Sequence, residues 1–202
     1  MREVIVFDLG NTLIRFDHNI SAQKIAGLFG IDSKIIYDMF FDSPITRAFE
    51  RGEISPVEFH EKASLALGNK LPFKDFVDIW NDIFWEDEGS CRIARTLKAN
   101  GYTLFLLSNL NRLHFEHIRG KFGILDIFDE LILSFEVGAI KPEKAIFDHV
   151  VKLAGGDRSR LVYIDDREDL IKEASALGID SIRFIDAPRL EVELKRRGIE
   201  IA

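Results

Sequence analysis

Asp8 is the first residue of this chain whose type and position suggest chemistry. It ends the apolar segment Val4–Phe7 and precedes the turn sequence Leu-Gly-Asn-Thr. A carboxylate at the carboxyl end of a buried strand lies where open α/β sheets bind their ligands. It can act as a covalent nucleophile that divides a difficult transfer into two easier steps. Asp8 is therefore a candidate nucleophile, with an ordinary turn aspartate as the alternative.

Three later segments carry side chains suited to phosphate. Ser108 and Asn109 follow an apolar segment and offer a hydroxyl and an amide to phosphoryl oxygens. Lys141 precedes a proline and can neutralise both a phosphate and an attacking carboxylate. Asp165 and Asp166 are adjacent acids after another apolar segment, and such crowding is costly unless a cation or hydrogen bonds compensate.

The paired acids predict a cofactor. Mg²⁺ binds few protein carboxylates and keeps several waters and substrate phosphate oxygens as its other ligands. Asp8 and Asp166 would suffice as side-chain ligands. Each polar segment could be an ordinary turn, helix cap or surface residue when taken alone. Their order, with three at predicted strand ends and one at a loop–helix junction, predicts that they meet in one crevice.

The elements that must position these residues follow an alternating pattern. Short apolar segments predict strands at Val4–Asp8, Thr103–Leu107, Leu131–Leu133, Leu161–Asp165 and Ser181–Phe184. Amphipathic helices are predicted between them, at residues 90–99, 142–154 and 168–177. Alternation of this kind predicts an α/β fold with a doubly wound, Rossmann-like, mainly parallel sheet.

A long helical insert interrupts the pattern directly after the first strand. Residues 20–29, 33–41, 56–67 and 74–84 have helical patterns, and the segment 15–86 contains no convincing strand. We therefore predict an α/β core domain at 1–14 and 87–202, with an α-helical cap domain at 15–86. A lid in this position can exclude water and select the substrate.

Composition limits the class of protein. The chain has 202 residues, 47% of them hydrophobic, and a formal net charge of −7. This size fits one sizeable core with a small appended domain, and the acidic charge argues against nucleic acid or an anionic membrane as partner. One cysteine, Cys91, excludes an internal disulfide. We expect a cytoplasmic monomer or homodimer that acts on a small phosphorylated metabolite.

Taken together, the four segments resemble those of the haloacid dehalogenase-like (HAD) hydrolase superfamily over essentially the whole chain. The resemblance implies that Asp8 forms an aspartyl phosphate, Ser108 binds the phosphoryl group and Lys141 balances charge. It also implies that Asp165 and Asp166, with Asp8 and the backbone carbonyl of Gly10, hold Mg²⁺. The expected activity is that of a Mg²⁺-dependent phosphatase.

A closer resemblance is to the bacterial α-D-glucose-1-phosphate phosphatase branch. It is carried by the sequences Phe-Asp-Leu-Gly-Asn from residue 7, Glu-Arg-Gly-Glu-Ile-Ser from residue 50, Ser-Asn-Leu-Asn-Arg-Leu-His from residue 108 and Lys-Pro-Glu from residue 141. This resemblance implies a sugar-phosphate substrate such as glucose 1-phosphate. We assign Asn109, Asn111 and Arg112 to substrate binding.

Gly10 departs from the best-known D-x-D-G-T form of the motif, which has a second aspartate there. In the superfamily, that aspartate protonates the leaving group and later activates water, which is typically worth about 10²–10⁴ in rate. Glycine keeps only the backbone carbonyl. The possible substitutes or substrate contacts are Asp17, His18, Arg47 and Glu50.

Gly10 leaves two other functions open. A metal-independent 2-haloacid dehalogenase also lacks the second aspartate, but its fourth motif is poor in paired acids. A catalytically silent module that binds a phosphorylated ligand would have lost the catalytic acid.

Overall fold

A five-stranded parallel sheet forms the centre of the protein in the computed structural model, which describes residues 3–41, 43–68 and 71–201. The strand order is β5-β4-β1-β6-β7, and each neighbouring pair is parallel. The seven strands of the described residues are β1 (Val4–Phe7), β2 (Ile14–Phe16), β3 (Phe84–Glu86), β4 (Thr103–Ser108), β5 (Glu130–Leu133), β6 (Leu161–Asp165) and β7 (Asp180–Arg183). The five strands of this sheet agree with their predicted positions to within one residue at each end.

Helices cover both faces of the sheet. Those of the described residues are α1 (His18–Phe29), α2 (Ser33–Phe40), α3 (Pro44–Glu50), α4 (Pro56–Ala66), α5 (Phe73–Asn81), α6 (Glu88–Ala99), α7 (Arg112–Lys121), α8 (Ser134–Val137), α9 (Lys144–Leu153), α10 (Glu168–Ala176) and α11 (Ala187–Arg196). The alternation of side chains along a strand explains the two layers. In β1, Ile5 and Phe7 pack with α6 and α11, whereas Val4 and Val6 pack with α9. The predicted doubly wound α/β fold is confirmed.

Five helices, α1 to α5, lie between β2 and β3 and build a hydrophobic cluster of their own. Its fully buried side chains include Phe49, Phe59, Phe76 and Trp80. The capping-box signal before α4 is present: the Ser55 hydroxyl accepts from the Glu58 amide at 3.2 Å, and the Glu58 carboxylate accepts from the Ser55 amide at 2.7 Å. The insert therefore packs largely through apolar rings.

The prediction that segment 15–86 lacks strands was wrong at its two ends. Strands β2 and β3 pair antiparallel, with Ile14 opposite Glu86 and Phe16 opposite Phe84. Each strand is only three residues long, too short for a period-2 pattern to stand out from its surroundings. The pairing brings the start and the end of the helical insert side by side. Helix α3 was also absent from the prediction.

No helix of the described residues is long and apolar enough to cross a membrane.

Candidate active site

Three strand ends bring the predicted chemical residues together at the carboxyl edge of the sheet. Strand β1 lies between β4 and β6, so Asp8 after β1 has Ser108 on one side and Asp165 on the other. The Asp8 amide continues the ladder by donating to the Ile164 carbonyl at 2.8 Å. All three side chains are buried, Asp165 completely. The parallel topology alone therefore brings to Asp8 two groups that lie 100 and 157 residues away in sequence.

Lys141 joins the two buried aspartates. Its Nζ donates to Asp8 Oδ1 at 2.6 Å, to Asp165 Oδ2 at 2.7 Å and to the Leu107 carbonyl at 3.1 Å. Lysine has three donors, so this geometry uses all of them. The Asn109 amide holds the lysine backbone in place, because Asn109 Oδ1 accepts from the Lys141 amide at 2.7 Å and Asn109 Nδ2 donates to the Lys141 carbonyl at 3.0 Å.

Tyr163 is a member of the site that the sequence analysis missed. Its hydroxyl donates to Asp165 Oδ2, the oxygen that also receives Lys141, and the Arg167 amide donates to the other oxygen, Oδ1, at 2.8 Å. Residues two apart on a strand point to the same face. The signal was therefore present in β6, where Tyr163 precedes Asp165 by two positions.

The acidic residues form a cluster suited to a hard divalent cation. Asp8, Asp165 and Asp166 each offer a carboxylate oxygen, and these oxygens lie within 4.8 Å of one another. When all three carboxylates are ionised, the single ammonium of Lys141 leaves two of the negative charges uncompensated. Oxygen donors and this charge fit Mg²⁺.

Burial sets the electrostatics of the site. Burial, together with the negative charges of Asp165 and Asp166, raises the pKa of Asp8, and Lys141 partly offsets this effect. The resulting pKa of Asp8 is about 7. Burial and Asp165 also raise the pKa of Asp166. For Lys141, burial disfavours the charged form, but Asp8, Tyr163 and Asp165 outweigh it and hold the pKa well above its usual value. The lysine is therefore a permanent cation among carboxylates that need more positive charge.

A cavity of about 670 Å³ opens above these groups, between the sheet edge and the helical insert. The sheet side contributes Asp8, Ser108, Lys141 and both adjacent acids, and the insert contributes Arg47 and Glu50. Aromatic side chains complete the wall: Phe16, His18, Tyr37 and Phe41. The cavity therefore has a charged floor and a largely aromatic roof.

The comparison with protein families decides the identity of this arrangement. The family model of the haloacid dehalogenase-like hydrolases matches residues 3–178, which include every group of the floor. The chain belongs to this hydrolase family. The prediction of the superfamily, and of an enzyme that is a hydrolase, is confirmed.

Relatives of this HAD-like hydrolase include named phosphatases that match along nearly the whole chain. The D-ribitol-5-phosphate phosphatase of Bacteroides thetaiotaomicron is 26% identical over 187 residues, covering 89% of this chain and 90% of that protein. A sesquiterpene phosphatase of Aspergillus oryzae is 22% identical over 194 residues, covering 95% and 94%. Both cover the floor and the insert together.

Solved structures agree with this assignment. A wild-type HAD family enzyme from Bacteroides thetaiotaomicron, in complex with magnesium and inorganic phosphate, has a TM-score of 0.80 at 27% identity, covering 92% of this chain and 96% of that one. An L-2-haloacid dehalogenase from Xanthobacter autotrophicus shares the fold, with a TM-score of 0.66 at 17% identity, covering 99% and 85%.

The ring of Phe16 occupies the space beside Gly10 in which a side chain would lie. A Cβ added to Gly10 would lie 2.8 Å from Cε1 of the Phe16 ring. A carboxylate at this position therefore requires Phe16 to move. The glycine is matched to its neighbour, and the space that an acid would use is filled by an aromatic ring from β2.

Two predicted substrate-binding residues lie away from the described lining of the cavity. Asn111 is buried and caps α7: its Oδ1 accepts from the His114 amide at 3.0 Å, and its Nδ2 contacts His114 Nδ1 at 3.0 Å. Arg112 is exposed and lies over the Phe135 ring, 5.1 Å from its centroid. Asn109 does line the cavity and positions Lys141. A substrate role for these three residues stays a prediction.

The insert contacts the core through the turn after α3. Arg51 forms an ion pair with Glu143, two residues after Lys141. The Ser134 hydroxyl donates to the Glu50 carbonyl at 2.6 Å. Gly52 has φ +72°, and a Cβ there would lie 2.2 Å from the Phe135 carbonyl oxygen. We call these contacts, made by Glu50, Arg51 and Gly52 with Ser134, Phe135 and Glu143, the joint. Its ion pair connects the two segments of the closer resemblance that begin at Glu50 and Lys141.

Proposed function

We propose that the protein is a Mg²⁺-dependent phosphatase that hydrolyses small phosphorylated metabolites through an aspartyl-phosphate intermediate. The observation that carries the proposal is the buried Asp8, paired with Lys141 at 2.6 Å and set beside Asp165 and Asp166 on the floor of the cavity. The phosphatases among the full-length relatives support the same class of reaction.

The proposed reaction has two displacements at phosphorus. In the first, a carboxylate oxygen of Asp8 attacks phosphorus, and the bond between phosphorus and the ester oxygen breaks. The alcohol portion leaves as its alkoxide, and Asp8 becomes an acyl phosphate. In the second, water attacks phosphorus, the bond to Asp8 breaks, and phosphate is released. Ser108 at the end of β4 donates its hydroxyl to a phosphoryl oxygen. Lys141 offsets the negative charge that accumulates as the anionic phosphate meets Asp8.

The metal would be held by oxygen donors already gathered on the floor. These are the carboxylates of Asp8, Asp165 and Asp166, with the backbone carbonyl of Gly10 as the family resemblance implies. A bound divalent cation supplies Lewis-acid stabilisation of the transferring phosphoryl group. The paired acids favour this chemistry over the metal-independent 2-haloacid dehalogenase.

Within the phosphatases, we propose a sugar phosphate as substrate, with hexose 1-phosphates such as glucose 1-phosphate preferred over 6-phosphates. Without a carboxyl group at Gly10, the first displacement depends on a good leaving group, and an anomeric oxygen is more acidic than a simple alcohol. The ring of Phe16 fills the space beside Gly10, which supports the view that no acid acts from this position. The charged and aromatic lining of the cavity suits a small polar ring.

The proposal extends to the organisation of the chain. We assign residues 15–86 to a cap domain over a core of residues 1–14 and 87–202, supported by the separate hydrophobic cluster of α1 to α5. We keep the expectation of a cytoplasmic protein, monomeric or homodimeric, that binds neither nucleic acid nor membrane, on the strength of its net charge of −7.

The test is phosphate release from a panel of sugar phosphates with Mg²⁺ or with EDTA, using Asp8→Asn as the blank. We expect Mg²⁺-dependent turnover that favours 1-phosphates. Equal turnover of 1- and 6-phosphates would contradict the substrate preference but keep the phosphatase. Turnover of 2-chloropropionate without metal would contradict the phosphatase activity and favour a 2-haloacid dehalogenase. Stabilisation by beryllium fluoride and Mg²⁺ without any turnover would favour the silent binding module.

A further inference from the structure

The second displacement needs a group that takes a proton from water, and Gly10 offers none. Of the residues considered as substitutes, Asp17 is engaged as the cap of α1, where its Oδ1 accepts from the Asn19 amide at 2.9 Å and from Asn19 Nδ2 at 2.8 Å. Arg47 lines the cavity, but a guanidinium stays protonated and cannot act as a base. His18 and Glu50 remain, and both line the cavity.

His18 lies beside a second, smaller cavity that adjoins the active site. This cavity has a volume of about 70 Å³, and six residues line both it and the large one: Gly10, Phe16, His18, Glu50, Ser108 and Asn109. A polar cavity needs only about 10–15 Å³ to hold one water. The small cavity therefore has room for water next to the position from which the missing carboxylate would act.

Aromatic contacts hold the imidazole in place. The His18 ring stacks on Phe41 with centroids 4.3 Å apart and an interplanar angle of 18°, and its centroid is 4.7 Å from that of Phe16. Phe16 is the residue that fills the space beside Gly10. His18 Nδ1 is buried and makes no hydrogen bond within the described part of the chain, so Nε2 is the nitrogen left to face the cavity.

The surroundings keep this imidazole neutral at physiological pH. Burial lowers the pKa of His18 to about 4, against a smaller opposing effect of Asp17. The titratable groups that face the ring are His114, whose centroid is 6.3 Å away, and Arg47 and Glu50 across the cavity. A neutral imidazole accepts a proton at one nitrogen, whereas its remaining N–H is too weak an acid to protonate a leaving group.

We propose that His18 is the general base that activates water for hydrolysis of the Asp8 phosphate. It would supply the base function, but not the acid function, of the aspartate that Gly10 replaces. This inference rests on the proposed function. Water in the small cavity gives its proton to Nε2 as its oxygen bonds to phosphorus, and the bond between phosphorus and the Asp8 oxygen breaks. The imidazolium then loses its proton to solvent, because the alkoxide released in the first displacement has already taken its proton from water. The enzyme thus has a base for the second step but no dedicated acid for the first.

The test isolates the second step by following loss of label from ¹⁸O-labelled inorganic phosphate to water, with Mg²⁺ present. In this exchange Asp8 displaces one oxygen of inorganic phosphate as water, which takes its proton from the His18 imidazolium, and hydrolysis then returns an unlabelled oxygen. No alcohol leaving group takes part. We expect His18→Phe, which keeps a ring against Phe41, to slow exchange about 10²-fold or more. His60→Phe is the matched control: this histidine lies in the insert, with its Nε2 2.6 Å from the Leu71 carbonyl, outside the lining described for either cavity. It should exchange at the wild-type rate.

A second readout separates a base from a structural role. With p-nitrophenyl phosphate, whose leaving group needs no acid, His18→Phe should accumulate the acyl phosphate, and hydroxylamine should trap close to one per chain. His18→Gln serves as a second variant if the phenylalanine variant folds poorly. Stabilisation by beryllium fluoride and Mg²⁺ verifies that the floor of each variant is intact.

The outcomes are distinct. Slow exchange together with trapped acyl phosphate supports His18. Wild-type exchange in both His18 variants overturns the inference and leaves the phosphatase standing. Slow exchange in Glu50→Gln with wild-type exchange at His18 variants also overturns it, by moving the base to Glu50. A wild-type protein that neither exchanges label nor releases phosphate overturns the proposed function itself.

Discussion

The floor of the cavity and the ring cluster of the insert are both tightly packed, but they are built in opposite ways. On the floor, Lys141 uses all three of its donors, and both oxygens of Asp165 accept hydrogen bonds. In the insert, Trp80 touches four other rings, yet its indole N–H is buried without a hydrogen bond in the part of the chain that the structure describes.

The two regions should therefore respond differently to substitution. A buried charged network depends on every partner, because removing one leaves the others desolvated and unpaired. A cluster of rings depends on area and shape, so its loss is measured mainly in stability. We therefore expect substitutions on the floor to abolish activity, and substitutions in the ring cluster to lower the free energy of unfolding.

Lys141→Met should have the largest effect. It leaves Asp8 and Asp165 without their shared cation, which should cost about 3–5 kcal/mol of unfolding free energy. Loss of charge compensation at phosphorus should lower kcat by about 10³-fold or more. Urea unfolding and phosphate release measure the two effects. Lys144→Met is the control, because this exposed lysine pairs only with Asp148 in the described contacts and should change neither by much.

Trp80→Ala tests the ring cluster. Trp80 is completely buried, and truncation should cost about 3–5 kcal/mol of unfolding free energy through lost burial and a cavity. In the fraction that remains folded at low temperature, the floor is untouched and kcat should fall by less than tenfold. Trp85→Ala is the matched control, since that indole is 47% exposed and its removal should cost little. A larger loss of kcat in Trp80→Ala than in Lys141→Met would contradict the proposed division.

Much of the floor could be predicted because it follows from strand ends. Asp8, Ser108 and Asp165 each end an apolar strand, and a parallel sheet brings such ends to one edge. Lys141 follows the short helix α8 rather than a strand, so its place was predicted from a loop–helix junction and from the order of the four segments. Tyr163 was missed because an aromatic residue in a strand is normally interpreted as core.

The insert was harder to predict in detail. Its helices were largely found from their periodicity, but the pairing of β2 with β3 joins residues about 70 apart through strands of three residues each. The relation between Gly10 and Phe16 is likewise a tertiary contact that no local pattern reports. Asn111 lies in a segment that carried the closer resemblance and was assigned to substrate binding. Its side chain caps α7, a detail that the resemblance does not report, and the assignment stays a prediction.

Gly52→Ala should disturb the joint between the two regions. Its φ of +72° disfavours any side chain, and the added Cβ would meet the Phe135 carbonyl oxygen at 2.2 Å, a backbone atom that cannot rotate away. Gly68→Ala is a close control: that glycine has φ +63° with nothing within 4 Å, so it carries the conformational cost alone, about 1 kcal/mol. We expect Gly52→Ala to lose about 2 kcal/mol or more of unfolding free energy and to raise KM, since the backbone strain and the overlap add.

Acidification gives the smallest effect, and the insert responds to it through the buried imidazole of His18. His18 has a folded pKa of about 4, below the usual value of 6.5, and burial also lowers the pKa of His114 well below that value. An unfolded chain therefore binds more protons than the folded one in this range. The stability from neutral imidazoles is complete above pH 6.5 and declines as the pH falls toward 4.

Between pH 7 and 5.5, His18 alone should account for about 1 kcal/mol of lost unfolding free energy. The measurement is urea unfolding at several pH values, followed by tryptophan fluorescence, because Trp80 stacks on His114 inside the ring cluster. His18→Phe should remove its share of the pH dependence while leaving that of His114. If His18→Phe keeps the full wild-type slope, the pKa of His18 is the same in the folded and unfolded chains, and burial does not hold this imidazole neutral.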